Sequence, residues 1–139
     1  MADTHYHVRV PVLMVAWEAD VVDGVLKITG QTGVVFPPQL PAEITSPVVA
    51  VVENPSPDPH ETTMVRISIA GPDGEPLAGS VHDYEVRWDA GSPPGAPRVF
   101  TIIEQVSVAV HAEGRYDVAV FIDNEPTPRA VTSFGVFLK

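Results

Sequence analysis

The stretch that decides the fold is Thr62-Thr63-Met64-Val65-Arg66-Ile67-Ser68-Ile69-Ala70. Val65, Ile67 and Ile69 occupy alternate positions, and the residues between them are polar or flexible. Side chains point alternately to opposite faces of a β-strand, so this period of two predicts a strand with one buried face. Gly71-Pro72-Asp73-Gly74 follows at once and predicts a turn.

The same pattern extends in both directions from this stretch. Valine accounts for 24 of the 139 residues, and 15 prolines are spread along the chain, which favours strands and turns over helices. Residues 98–111 are long enough to form either one strand or two strands with a bend. The pattern predicts strands at residues 7–20, 25–29, 33–36, 46–53, 62–70, 81–89, 98–111, 116–122 and 130–138.

Two local signals add detail to this picture. Asp23-Gly24 is typical of a type I′ hairpin turn. Gly114-Arg115-Tyr116 begins an alternating strand, and Tyr116 is a candidate for a tyrosine corner, in which the hydroxyl binds the backbone a few residues upstream. We therefore expect an all-β chain of about eight or nine strands, folded over residues 1–139 as one antiparallel β-sandwich of immunoglobulin-like or related Greek-key type.

The chain also resembles a family of small uncharacterised bacterial β-sandwich proteins, a domain of unknown function. The resemblance implies a sandwich fold and brings no catalytic residue with it. The matching segments are Leu13-Met14-Val15-Ala16, Asp23-Gly24, Leu26-Lys27-Ile28-Thr29-Gly30, Leu40-Pro41, Asp73-Gly74 and Gly114-Arg115-Tyr116.

Charge limits the classes of partner. Eighteen acidic residues against eight basic ones give a net charge of −10, which repels phosphate backbones and anionic lipid surfaces. We therefore expect neither nucleic acid nor membrane as a partner. Without cysteine the chain has no disulfide or thiolate chemistry, and its first residues lack the pattern of a signal peptide. These features favour a cytoplasmic protein.

No motif of catalysis or cofactor binding is present, so we expect a protein that is not an enzyme and holds no cofactor. His5 and His7 share one face of a strand but lack further ligands. His60-Glu61 begins like a zinc-protease motif, but Met64 stands where the second histidine belongs. The acidic turn residues could bind calcium, although ordinary turn chemistry explains them better. His82 is expected to be a packed core histidine.

Two strands have apolar residues on both faces, residues 98–111 and 130–138, and residues 46–53 are almost continuously apolar. Such strands are buried on both sides or form an interface. We therefore expect a protein-interaction module that also associates with itself. The alternatives are a small-ligand or carbohydrate-binding sandwich and an enzyme with an unrecognised site. Both tryptophans are expected in the core but also count as binding candidates. The candidate partner-binding residues are Phe100, Ile102, Phe134, Phe137, Trp17 and Trp88.

Overall fold

The computed structural model describes residues 7–58, 60–88 and 96–139. Nine strands and no α-helix lie within these residues, so no helix there could span a membrane. The strands are β1 (Arg9–Val22), β2 (Val25–Gln31), β3 (Val34–Val35), β4 (Ala42–Asn54), β5 (Thr62–Ala70), β6 (His82–Arg87), β7 (Arg98–Val110), β8 (Gly114–Ile122) and β9 (Ala130–Val136).

The strands form two sheets that pack as a β-sandwich. The four-stranded sheet has the order β2-β1-β4-β7, and the five-stranded sheet has the order β3-β9-β8-β5-β6. All pairs are antiparallel except β3 and β9, which run parallel. The order β1-β4-β7 facing β9-β8-β5 matches the A-B-E and G-F-C strands of immunoglobulin-like domains. The predicted fold class is therefore confirmed.

The core lies between the inward faces of the two sheets. Val65, Ile67 and Ile69 of β5 are all buried there, as their alternation predicts. β8 lies beside β5 and buries Val118 and Val120 in the same way. These strands occupy the middle of their sheet, so neighbouring strands cover both of their edges.

The tyrosine corner is present. The Tyr116 hydroxyl donates a hydrogen bond of 2.6 Å to the carbonyl oxygen of Ala112, and the ring stacks on Phe134 with 5.5 Å between ring centroids. The side chain is 1% exposed. The bond fixes the loop before β8 to the core, a role that the sequence alone predicts.

Turn chemistry sets the first hairpin. Asp23 and Gly24 both have positive φ, 52° and 75°, as a type I′ turn requires. The turn places Val22 opposite Val25 and fixes the register of the whole β1–β2 ladder. The predicted hairpin is confirmed.

Several boundaries differ from the predicted ones. β4 begins at Ala42 rather than residue 46, because Ala42 and Ile44 continue its alternation beyond Pro47. β7 is a single strand, which is one of the two alternatives that the pattern leaves open. β6 ends at Arg87, just before residues 89–95, which lie outside the described residues.

Candidate functional site

The two halves of β1 pair with different strands. Its first half pairs with β4, from Arg9 opposite Glu53 to Val15 opposite Val48. Its second half pairs only with β2, from Ala16 opposite Gln31 onward. We call the two-stranded ribbon of residues 16–31 the arm. The arm leaves the four-stranded sheet where the β1–β4 ladder ends.

The ladder ends beside Pro47. Proline has no N–H, so the backbone cannot supply that donor to a further rung at this position. Beyond it, residues 42–47 of β4 pair only with β7. Two backbone edges without a strand partner in the described residues therefore diverge from Pro47: residues 42–47 of β4 and residues 17–22 of β1. On the β1 edge, the Val21 N–H donates a hydrogen bond of 2.8 Å to the Asp20 carboxylate. We call the gap between these edges the fork.

A groove of about 590 Å³ occupies the fork. Trp17 borders it on the arm side, Ile44 and Thr45 on the β4 side, and Val34 and Phe36 on the side of the five-stranded sheet. Trp17 is 69% exposed and Phe36 is 59% exposed. Exposed aromatic side chains of this size in one groove mark a place where a partner is bound or a surface is covered.

Trp17 is held in place by a glycine. An added Cβ on Gly30 would lie 2.7 Å from Trp17 Cδ1, so the indole ring lies directly over Gly30 of the neighbouring strand. Gly30 also has a φ of +68°, which disfavours any other residue. The Trp17 ring therefore packs flat against Gly30 of the arm, and the opposite face of the ring is open to the groove.

Acidic side chains line the outward face of the fork. Glu18 and Asp20 alternate along β1, and Glu43 is on β4. Glu43 accepts a hydrogen bond of 2.8 Å from the Ser107 hydroxyl. Within the described residues none of these three carboxylates has an arginine or lysine within salt-bridge distance. Lys27 of β2 lies opposite Asp20 in the arm, so the rim of the groove is negative chiefly at Glu18 and Glu43, while its floor is apolar.

A second apolar surface covers the outward face of the four-stranded sheet. Val49 is fully buried there although it points away from the core, because Met14 and Ile103 flank it in the two ladders. Val48 and Val52 are thus buried on the inward face of β4 and Val49 on its outward face, while Val51 is half-buried. Val99 of β7 lies on the same face near one end and is exposed.

The sequence-predicted binding residues separate into two groups. Trp88, Ile102 and Phe134 are at most 4% exposed and pack in the core, so they offer no surface to a partner. Alternation along β7 and β9 turns Ile102 and Phe134 inward, and the Trp88 indole donates a hydrogen bond to the Thr63 hydroxyl.

The other three candidates are accessible. Phe100 and Phe137 are partly exposed, and Phe137 lies over Gly135 at the end of β9. Trp17 lines the fork. The expectation that Trp17 is a core residue is wrong, because β1 runs beyond the point where β4 accompanies it and carries the ring out of the sandwich.

Two of the histidines lie beside carboxylates. His7 Nε2 lies 3.0 Å from Glu61 Oε2, and His82 Nδ1 lies 2.9 Å from Glu104 Oε1. His82 is partly exposed at the sandwich edge and bridges the two sheets, so the expectation of a packed core histidine is wrong. Nearby, burial and the neighbouring Glu104 carboxylate raise the pKa of Tyr84.

No metal site is evident in the part of the chain that the structure describes, where no group of three or more candidate ligands comes together. His5, the predicted companion of His7, lies outside the described residues. Neither histidine pair lines the groove of the fork.

Phe36, Glu43 and Ile44 are groove residues that the sequence reasoning missed. The sequence pattern predicts Phe36 at the end of a strand and predicts no strand over residues 42–45. The available signal was Pro47 inside an otherwise continuous strand pattern, because a proline there predicts a sheet edge.

The fold and the site together define an immunoglobulin-like β-sandwich. Its first strand, β1, extends into the arm, and the chain then continues to β3, the short strand that pairs with the last strand, β9. Residues 11–133 match the family of unknown function DUF6941. The chain therefore belongs to that family. No curated protein matches the sequence.

Two solved structures are similar in fold. One is the Pseudomonas fluorescens alkylpurine DNA glycosylase AlkC bound to DNA with an abasic site analog, at 15% identity and a TM-score of 0.48. The match covers 94% of this chain but only 30% of the glycosylase chain. The other is the CARDB domain of the PF1109 protein from Pyrococcus furiosus in complex with di-metal ions, at 19% identity and a TM-score of 0.44. That match covers 94% of this chain and 97% of the CARDB chain.

Proposed function

We propose that this protein is a non-enzymatic interaction module that binds another protein at the fork. The observation that carries the proposal is the exposure of Trp17 and Phe36 in one groove beside two unpaired strand edges. Tryptophan is among the residues that contribute most to binding free energy at protein interfaces. Unpaired strand edges are also surfaces that natural proteins usually cover or protect.

The proposal is tested by capture from a lysate of the source organism. The bait is the full chain, either unchanged or with Trp17→Asp. The matched control is Val131→Asp, which puts the same charge at an exposed position on the outward face of the other sheet. We expect one stoichiometric partner that the unchanged bait and the control retain and the Trp17→Asp bait loses. Equal retention by all three baits, or no retained protein, would contradict the proposal.

The same proposal includes self-association through the outward face of the four-stranded sheet. Met14, Val49 and Ile103 form its apolar centre. Light scattering should show a mass that rises with concentration above the 14.9 kDa of one chain, and Ile103→Lys should prevent the rise. A constant mass of one chain at all concentrations would contradict self-association and would leave the proposal of partner binding at the fork unchanged.

A small-ligand or carbohydrate site is the second candidate function. The observation that favours it is the exposed Trp17 ring beside Glu18 and across the groove from Glu43. The groove volume falls within the range of about 300–1,000 Å³ that small ligands occupy. A thermal-shift screen of sugars separates the two functions. A sugar that stabilises the unchanged protein but not Trp17→Ala favours the ligand site.

A further inference from the structure

We propose that the fork accepts an extended strand of a partner protein in which apolar and basic side chains alternate. The inference rests on the proposed function and names the form and chemistry of the partner. The inserted strand would lie between β4 and the second half of β1, and it would complete the sheet that divides at Pro47. Such strand addition uses backbone hydrogen bonds for affinity and alternate side chains for specificity.

The backbone geometry supports an inserted strand rather than a surface contact. The β1–β4 ladder stops at Val15 and Val48 although both strands continue, β1 to Val22 and β4 back to Ala42. If the register continued, Glu18 would lie opposite Thr45 and Asp20 opposite Glu43. Instead the strands separate, and each presents an edge without a strand partner in the described part of the chain. One strand in this gap could pair with both edges.

The side chains define what that strand carries. On the inward face the groove presents Trp17, Ile44 and Phe36, which favour apolar side chains. On the outward face, the parity of β1 and β4 places Glu18, Asp20 and Glu43 along the two edges. Successive residues of a strand point to opposite faces, so the matching strand alternates apolar and basic residues.

A second copy of this chain cannot supply such a strand. The chain has eight basic residues, and no two of them are separated by a single residue. Its net charge of −10 also opposes contact between two copies at the acidic rim. The proposed occupant is therefore a different protein that carries the alternating segment.

The test uses the full-length protein and a labelled synthetic peptide of about seven residues that alternates lysine and valine. One comparison peptide has glutamate in place of lysine, and another has the same lysines and valines in two blocks. Fluorescence anisotropy should show binding of the alternating peptide and at least about tenfold weaker binding of both others. Added salt should weaken the binding, because the carboxylates at the rim are exposed.

Protein variants locate the contact. The double variant Glu18→Lys and Glu43→Lys should reverse the preference toward the glutamate peptide. Glu75→Lys changes one exposed carboxylate in the distant β5–β6 turn and should leave the preference unchanged. Binding should also shift the tryptophan emission to shorter wavelength, and Trp17→Phe, which retains the buried Trp88, should abolish that shift.

Each other outcome contradicts the inference. Equal binding of the alternating and block peptides would mean attraction by charge alone. An emission of Trp17 that depends on protein concentration without peptide would mean that a second copy fills the fork. If no peptide binds while the Trp17-dependent partner is still captured from lysate, the inserted strand is wrong and the proposed function stands. If neither binds, both are wrong.

Discussion

The two halves of β1 form one strand but lie in different surroundings. The first half pairs with β4 and turns one face to the core, where Val15 is buried and its side chain contributes to folding. The second half begins at Ala16 and carries Trp17, the larger apolar residue, into solvent. One strand with a continuous pattern thus changes role where its neighbour stops pairing. Apolar side chains stabilise the fold only where a second layer covers them, and elsewhere they are available to a partner.

The largest expected effect is the difference between a core substitution and an arm substitution in the free energy of unfolding that each one removes. Ile67→Ala removes a fully buried side chain from β5 and should lower the free energy of unfolding by about 2–5 kcal/mol. Trp17→Ala removes a larger side chain, yet it should change that free energy by about 0.5 kcal/mol or less, because the ring is mostly exposed. Urea denaturation measures both. Similar losses for the two variants would contradict the contrast.

The tyrosine corner comes next in magnitude. Tyr116→Phe keeps the buried ring but removes the hydrogen bond to Ala112 O. The carbonyl then loses its partner, and we expect a loss of about 1–2 kcal/mol in urea denaturation. Binding at the fork should not change, because the corner lies on β8 of the other sheet. A Tyr116→Phe variant with weakened binding would show that the two regions are coupled.

Gly30→Ala tests how the Trp17 ring packs against Gly30 of the arm. The new Cβ would meet the indole at 2.7 Å, and the positive φ adds about 1–2 kcal/mol of local strain. Gly24→Ala is the matched control, since its φ is also positive but nothing lies within 4 Å of the added Cβ. Both variants should destabilise the arm, but only Gly30→Ala should change the emission of Trp17. The same change in both would mean that strain alone moves the ring.

The smallest expected effect concerns pH. The Ser133 hydroxyl and the Arg115 guanidinium donate hydrogen bonds to Asp117 and hold its pKa below the ordinary value. The folded pKa is lower than the unfolded one, so this stabilisation is complete above the unfolded pKa and is lost as pH falls through the folded pKa. Because the pair is largely exposed, it contributes about 0.5 kcal/mol or less.

Asp117→Asn checks that sign. Its urea midpoint should lie below that of the unchanged protein near neutral pH, and the two midpoints should converge as the solution becomes acidic. A difference that stays constant from neutral to acidic pH would contradict the role assigned to the carboxylate.

Much of the fold follows from the sequence because it depends on local signals. Alternation identifies β5 with its observed bounds, Asp23-Gly24 identifies the hairpin, and Gly114 with Tyr116 identifies the corner. Each signal acts within a few residues, so neighbours far along the chain are not needed to interpret it.

The fork could not be predicted in the same way. It depends on how far β1 and β4 remain paired, and residues 15 and 48 are distant in sequence. Pro47 signals a sheet edge but does not say which neighbouring strand departs. The sequence alone therefore predicts Trp17 in the core, since large aromatic residues are buried on average. Ile102 and Phe134 are predicted to bind a partner but lie in the core, because the pattern of a strand with two apolar faces does not show which face points inward.

The central claim is that the fork holds two free strand edges that one inserted strand can pair. Amide hydrogen exchange with and without the alternating lysine–valine peptide tests it most directly. The account predicts fast exchange in the free protein at those amides of residues 17–21 and 42–46 that point away from β2 and β7, and slower exchange at the same amides when the peptide is bound. β8 should be protected equally in the two states. Unchanged exchange at both segments, or protection spread evenly over the chain, would contradict the claim.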